Sequence, residues 1–235
     1  MTNFRVIYLK VFMLKNSVVD KDNKLTLLKD EEFLNVLTHG LGFLMSIVGG
    51  IYLFRLALTR HLDWGMMSAV VFILSMCVLY LASTAYHLYS WKTGEDAFRL
   101  KMFDHIAIYF LIAGTYTPFT LLLLEGPSAR IILATVWFLA LLGTSFKLIF
   151  GERYPWVSLI FYILMGWLII FDIRQLIELG TLFTLSFLLA GGISYTLGTI
   201  FYVNKSWRYH HPIWHIFVLV GTTSHFISVC SLFPA

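Results

Sequence analysis

The run His211-Pro212-Ile213-Trp214-His215-Ile216-Phe217-Val218-Leu219-Val220-Gly221, continuing to His225-Phe226, is apolar but opens on two histidines. Such a run reads as a membrane-crossing helix, for which about 20 residues suffice. Imidazoles are costly inside a bilayer, so those in a membrane helix face the protein interior and usually serve a purpose there. His211 and His215 are four apart and share a helix face. Two such nitrogens can hold a metal when other helices bring ligands to the same depth. Alone, they equally suit a pair of interfacial histidines at a membrane edge.

Six more apolar segments precede this one, near residues 33–57, 65–90, 102–124, 131–150, 156–173 and 181–203, and the last occupies 212–233. Of 235 residues, 59% are apolar and 13% charged, against about 25% charged in a soluble domain. The mean hydropathy is +0.79. With no water in the bilayer core, these segments must be helices, and their long unbroken apolar runs exclude the alternation of a β-barrel. The fold class is therefore an all-α integral membrane protein, a seven-transmembrane helix bundle. One membrane domain, 32–235, follows a charged N-terminal segment, 1–31, assigned to the cytoplasm. Within it, Phe4 to Leu14 is interrupted by Arg5 and Lys10 and is too short to span. No small-residue cleavage site follows, so it is not read as a signal peptide; it reads as an interfacial stretch, or Met13 is the true start.

Lysine and arginine set the orientation. With seven crossings, Arg55, Arg60, Arg130 and Arg174 fall on one side, and the other 13 of the 17 basic residues fall on the side of the N-terminus. Positive residues stay inside, which places the N-terminus in the cytoplasm and the C-terminus outside. The net charge of +4 is scattered between spans, so nucleic acid is excluded as a partner and membrane lipid is expected. Cys77 and Cys230 both lie in spans and read as buried structural thiols rather than a disulfide framework.

The unusual polar residues agree in depth. Glu32, Asn35 and His39 share one face at the start of the first helix. Ser83 and His87 lie near the end of the second. Asp104 and His105 open the third, and His211 and His215 open the seventh. All four sets fall a turn or two inside the cytoplasmic surface. His87, His211 and His215 would supply three nitrogens, leaving a fourth position for water, as in a catalytic zinc site. Zinc would lower the pKa of that water toward ~7. Asp104 is placed to accept its proton, and Ser83 to bond the water or a developing oxyanion. A polar network that clamps helix ends would place the same residues at the same depth. His225 lies about 15 Å deeper than His215 at 1.5 Å per residue, and is expected to bond a polar neighbour. His61 and His210 read as solvated loop residues. His105 is expected to point away from Asp104. Because His211 precedes Pro212, it is expected to cap the helix and approach the metal from its end.

Glu32-x-x-Asn35-x-x-Thr38-His39, Ser83-x-x-x-His87, Phe103-Asp104, Gly114-Thr115-Tyr116-Thr117-Pro118, His211-x-x-x-His215 and His225-Phe226, in this order, resemble the hemolysin III family. That family lies within the progestin and adipoQ receptor group and a superfamily that includes alkaline ceramidases. The resemblance covers Glu32 to the C-terminus. It implies a seven-helix bundle with zinc near the cytoplasmic face, the ligand role for His87, His211 and His215, and a water-holding role for Asp104 and Ser83. The superfamily implies a zinc-dependent lipid amidase, and the family name implies pore-forming or haemolytic activity. The resulting expectation is a metal-dependent hydrolase of an amide or ester in a lipid-like substrate, in a bacterial plasma membrane. The alternative is a non-enzymatic pore or receptor-like regulator with structural zinc. A pore should carry a polar stripe through the full depth of some helices; the polarity here is concentrated at one end.

Overall fold

The computed structural model describes residues 3–233, with side chains from residue 27 onward. The elements are α1 (Asn3–Arg60), α2 (Gly65–Thr93), α3 (Phe98–Pro118), a π-helical turn (Phe119–Leu123), α4 (Gly126–Phe150), α5 (Pro155–Gly166), a 3-10 turn (Leu168–Asp172), α6 (Ile173–Leu179), α7 (Leu182–Val203) and α8 (His210–Cys230). Among the described residues there is no strand, and seven helical stretches are long and apolar enough to cross a membrane. The first stretch runs from Leu27 to Arg60, and the fifth joins α5 to α6. No proline or glycine interrupts residues 3–39, so α1 carries no break at residue 31. The side chains of Phe4 to Leu14, read above as interfacial, lie outside the described residues.

The bundle is built around α3. In its most apolar window 67% of residues are buried, against 11% in the α5–α6 span, which lies at the periphery. α2 packs between α1 and α3, and α8 packs against both α1 and α7. One apolar cluster joins Leu53, Phe72, Leu79, Tyr80, Leu111 and Val218 across α1, α2, α3 and α8. A second joins Tyr109, Ala113, Val136, Ala140 and Met165 across α3, α4 and α5. The α2–α3 contact depends on Gly114, where a Cβ would fall on the Ser75 side chain. Small residues permit this close approach where no hydrophobic effect drives helices together. The outward faces carry exposed Phe138, Phe171 and Leu182, as a lipid-facing surface requires.

Two spans depart from regular helix, and one side chain answers for much of it. α5 stops at Gly166, and a 3-10 turn follows before the chain resumes as α6. The sequence placed the end of this span at residue 173; the helix in fact continues to Leu179, helped by an Arg174–Glu178 ion pair at 2.8 Å. The interruption frees backbone groups at membrane depth, and these need partners. The Tyr116 hydroxyl supplies both, donating to the Gly166 carbonyl at 3.0 Å and accepting from the Ile169 amide at 2.9 Å. Tyr116 lies just before Pro118, where α3 gives way to the π-helical turn.

Candidate metal centre

Four helices deliver the polar layer to one end of the bundle. α1 runs Glu32, Asn35, Thr38 and His39 along one face, which packs on α2 and α8. Glu32 lies 2.7 Å from Nδ1 of His87 on α2. A carboxylate accepts, so Nδ1 carries the hydrogen and Nε2 presents its lone pair. Thr38 donates to its own helix, with the Leu34 and Asn35 carbonyls at 2.8 and 3.0 Å. It therefore accepts from Nδ1 of His215 at 3.2 Å, and Nε2 of His215 is bare as well. His211 stands one turn before His215, with ring centroids 4.7 Å apart.

The result is a convergence of unpartnered nitrogens. Nε2 of His87, His211 and His215 are buried and have no hydrogen-bond partner within the protein. One nitrogen from each of the three rings lies within 4.8 Å of the others. Among the described residues these three form the one group of histidine, cysteine and acidic side chains spaced to hold a metal ion. Buried nitrogens left without a partner are costly. Three neutral imidazoles turned to one point are the donor set that zinc takes, and each outer hydrogen bond fixes the ring that carries it. The residues therefore fit a zinc ion.

The remaining residues of the layer are placed as follows. Asp104 is buried, faces Ser83 and His87, and lines a cavity together with His39. Ser83 is fully buried and bonds Nδ1 of His39 at 2.7 Å. The His39 ring stacks on that of His215, with centroids 3.5 Å apart, and its Nε2 is also unpartnered. His39 thus belongs to the histidine cluster more closely than its spacing indicated. Asn35, one turn earlier on α1, is also buried. His225 lies outside the layer, and its Nε2 donates to the Leu188 carbonyl at 3.1 Å.

Two expectations need correction. His211 does not cap α8: the helix begins at His210, after Tyr209 at φ 57°, and Pro212 falls in the first turn, where its missing N–H is no loss. His210 is not a free loop residue: it opens α8, is half-buried, and its ring hydrogen-bonds to the Phe201 carbonyl at 3.2 Å. His61 is exposed, as its loop position suggested.

A buried ion cluster on the far side of α3 escaped the sequence reading. His105 points away from Asp104 and bonds Glu152 at 2.7 Å, and Lys147 of α4 meets the same carboxylate oxygen at 2.9 Å. Burial alone would raise the Glu152 pKa, but the bonds and charges of His105 and Lys147 outweigh it and hold it at about 2. The signal was present in the sequence as a lone lysine inside the apolar run of α4. The cluster ties α3 to α4, so it fixes the rotation of α3 that turns Asp104 toward the histidines.

The cavity is lined mainly by α3, α5, α7 and α8, with His39 of α1 and Leu79 of α2, and runs from His39 and Asp104 down to His225. Its walls are largely apolar, and it encloses about 120 Å³. It was invisible in the sequence, because its lining residues come from six helices with no shared spacing.

Fold and site together define a multi-pass, seven-helix integral membrane protein with a buried histidine cluster at one end of an internal cavity. The chain belongs to the haemolysin-III related family, whose model matches residues 28–226. It is 44% identical to the Hemolysin-3 homolog of Bacillus subtilis (strain 168), over 85% of this chain and 92% of that one. It is 41% identical to Hemolysin-3 of Bacillus cereus, over 90% and 96%. The human Monocyte to macrophage differentiation factor is 31% identical, over 85% and 83%.

Proposed function

We propose that His87, His211 and His215 hold a zinc ion and that the protein hydrolyses an amide or ester bond in a lipid-like substrate. The observation that carries this reading is the convergence of three buried, unpartnered Nε2 atoms beside an apolar cavity whose wall includes Asp104 and His39, the ring stacked on His215. When bound, zinc supplies Lewis acidity, which polarises a carbonyl oxygen and makes water a stronger acid. Glu32 and Thr38 hold the His87 and His215 rings in the tautomer that leaves Nε2 bare. Asp104 takes a proton from the attacking water on its carboxylate and returns it to the leaving nitrogen or oxygen, so a C–O bond forms as the C–N or C–O bond breaks. Ser83 holds His39 against His215. The apolar walls bind the lipid chain and exclude bulk water.

The test is release of fatty acid from acylated lipid by the purified protein. The expected result is slow release that Asp104→Asn lowers at least tenfold while zinc content is unchanged. Equal release by Asp104→Asn would overturn the assignment of the base.

Membrane lysis is the second reading, and the names of the two Bacillus relatives support it. The deeper polar side chains argue against a water-filled pore. Thr184, Ser228 and Ser231 bond one another and the backbone between α7 and α8. Leakage of dye from liposomes, equal for wild type and Asp104→Asn, would favour lysis over hydrolysis. The charge bias supports an N-terminus in the cytoplasm of a bacterial plasma membrane, with the histidine layer near that face. Reporter fusions at the two ends should report opposite sides.

A further inference from the structure

The deep end of the cavity contains a feature that hydrolysis at the histidine layer does not use. His225 lines the cavity far from the layer and stands about 15 Å from His215 along α8, at 1.5 Å per residue. The edge of its ring bearing Cδ2 and Nε2 lies against Gly191, where a Cβ would collide with it. Glycine at 191 therefore makes room for the imidazole. Nε2 is spent on the Leu188 carbonyl. A carbonyl only accepts, so Nε2 carries the hydrogen, and in the neutral ring Nδ1 is a bare acceptor. Nδ1 is buried and has no partner in the protein.

Most hydroxyls that line the cavity are committed to the backbone. The hydroxyls of Thr115, Tyr116, Thr196 and Thr199 donate to the backbone carbonyls of Leu111, Gly166, Gly192 and Thr196. Tyr195, whose ring lies 5.4 Å from that of His225, bonds Thr222 at 2.6 Å, and Tyr80 donates to the same Thr222 at 2.8 Å. None of these groups hydrogen-bonds to Nδ1 of His225, which remains an open acceptor in the wall of the cavity. A buried acceptor without a partner is costly, and an imidazole at this depth in a membrane protein marks a functional position. The cavity that reaches His225 is lined largely by apolar side chains, which suits an acyl chain.

We propose that the cavity binds a lipid chain carrying a hydroxyl group in mid-chain, and that His225 Nδ1 accepts its hydrogen bond. This rests on the reading that the chain lies in the cavity with its head group at the histidine layer. The spacing of ~15 Å corresponds to about a dozen carbon–carbon bonds of ~1.5 Å in a zigzag. The class is therefore a hydroxy-acyl chain substituted near its twelfth carbon.

The test uses the purified full-length protein in detergent and measures binding, so it does not depend on hydrolysis. The probes are stearate, 2-hydroxystearate and 12-hydroxystearate. The expected result is that 12-hydroxystearate binds on the order of threefold to tenfold more tightly than the other two, the advantage of one hydrogen bond. His225→Leu should remove that advantage, so that 12-hydroxystearate binds no more tightly than stearate, and His225→Gln, which keeps an acceptor, should restore part of it. Equal affinities for the three probes in wild type would overturn the proposal while leaving the hydrolase reading intact. A 12-hydroxyl preference that persists in both variants would overturn the role of His225. Binding of none of the probes would overturn the chain-in-cavity reading and this proposal with it.

Discussion

Replacing Glu32 by alanine should weaken zinc binding without removing a ligand. Its carboxylate lies 2.7 Å from His87 Nδ1, and His87 is 2% exposed against 27% for Glu32. The carboxylate fixes the tautomer and raises the basicity of Nε2. Loss of such an outer partner typically weakens metal binding by ~10–100-fold, or about 1.4–2.8 kcal/mol at 1.4 kcal/mol per decade. Glu32 is partly exposed, so water can enter the space and accept the Nδ1 hydrogen, which places the expected loss near tenfold. Glu32→Gln keeps an acceptor oxygen but loses the charge and should fall between wild type and alanine. At a fixed excess of zinc, a tenfold weaker site lowers stability by about 1.4 kcal/mol through mass action. Titration against a competing chromogenic chelator gives the affinity, and thermal unfolding with and without chelator gives the linked stability. The reasoning is refuted if Glu32→Ala binds zinc as tightly as wild type while His87→Ala loses it.

Three further outcomes are expected. Elemental analysis should find about one zinc per chain, lost in His87→Ala, His211→Ala and His215→Ala and retained in His225→Ala; zinc lost only from the last would place the site at the wrong depth. Tyr116→Phe strands the Gly166 carbonyl and the Ile169 amide together, so thermal unfolding should show a loss of ~1–3 kcal/mol. Glu152 titrates in the folded protein at about 2 against an ordinary value of 4.5, so its stabilisation is complete above about pH 4.5 and lost as pH falls toward 2. Acid unfolding of Glu152→Gln should accordingly lack the part of the wild-type pH dependence that lies in this window, and an unchanged profile would show that the Lys147–Glu152–His105 cluster contributes nothing.

The sequence alone determined the seven spans, because apolar length is a local property and the bilayer permits only helices there. It also determined the common depth of Glu32, His87, Asp104, His211 and His215, since rise per residue converts chain position into depth. Only the tertiary structure decided which nitrogens remain free. That depends on Thr38 meeting His215 and on Glu32 meeting His87, contacts between residues far apart in the chain. The break at Gly166 and its repair by Tyr116 were likewise hidden, because the donor and acceptor lie on different helices. The Lys147–Glu152–His105 cluster and the cavity to His225 depend on how the helices are rotated about their axes. Helical periodicity gives the faces of each helix, but packing among seven of them determines which faces meet.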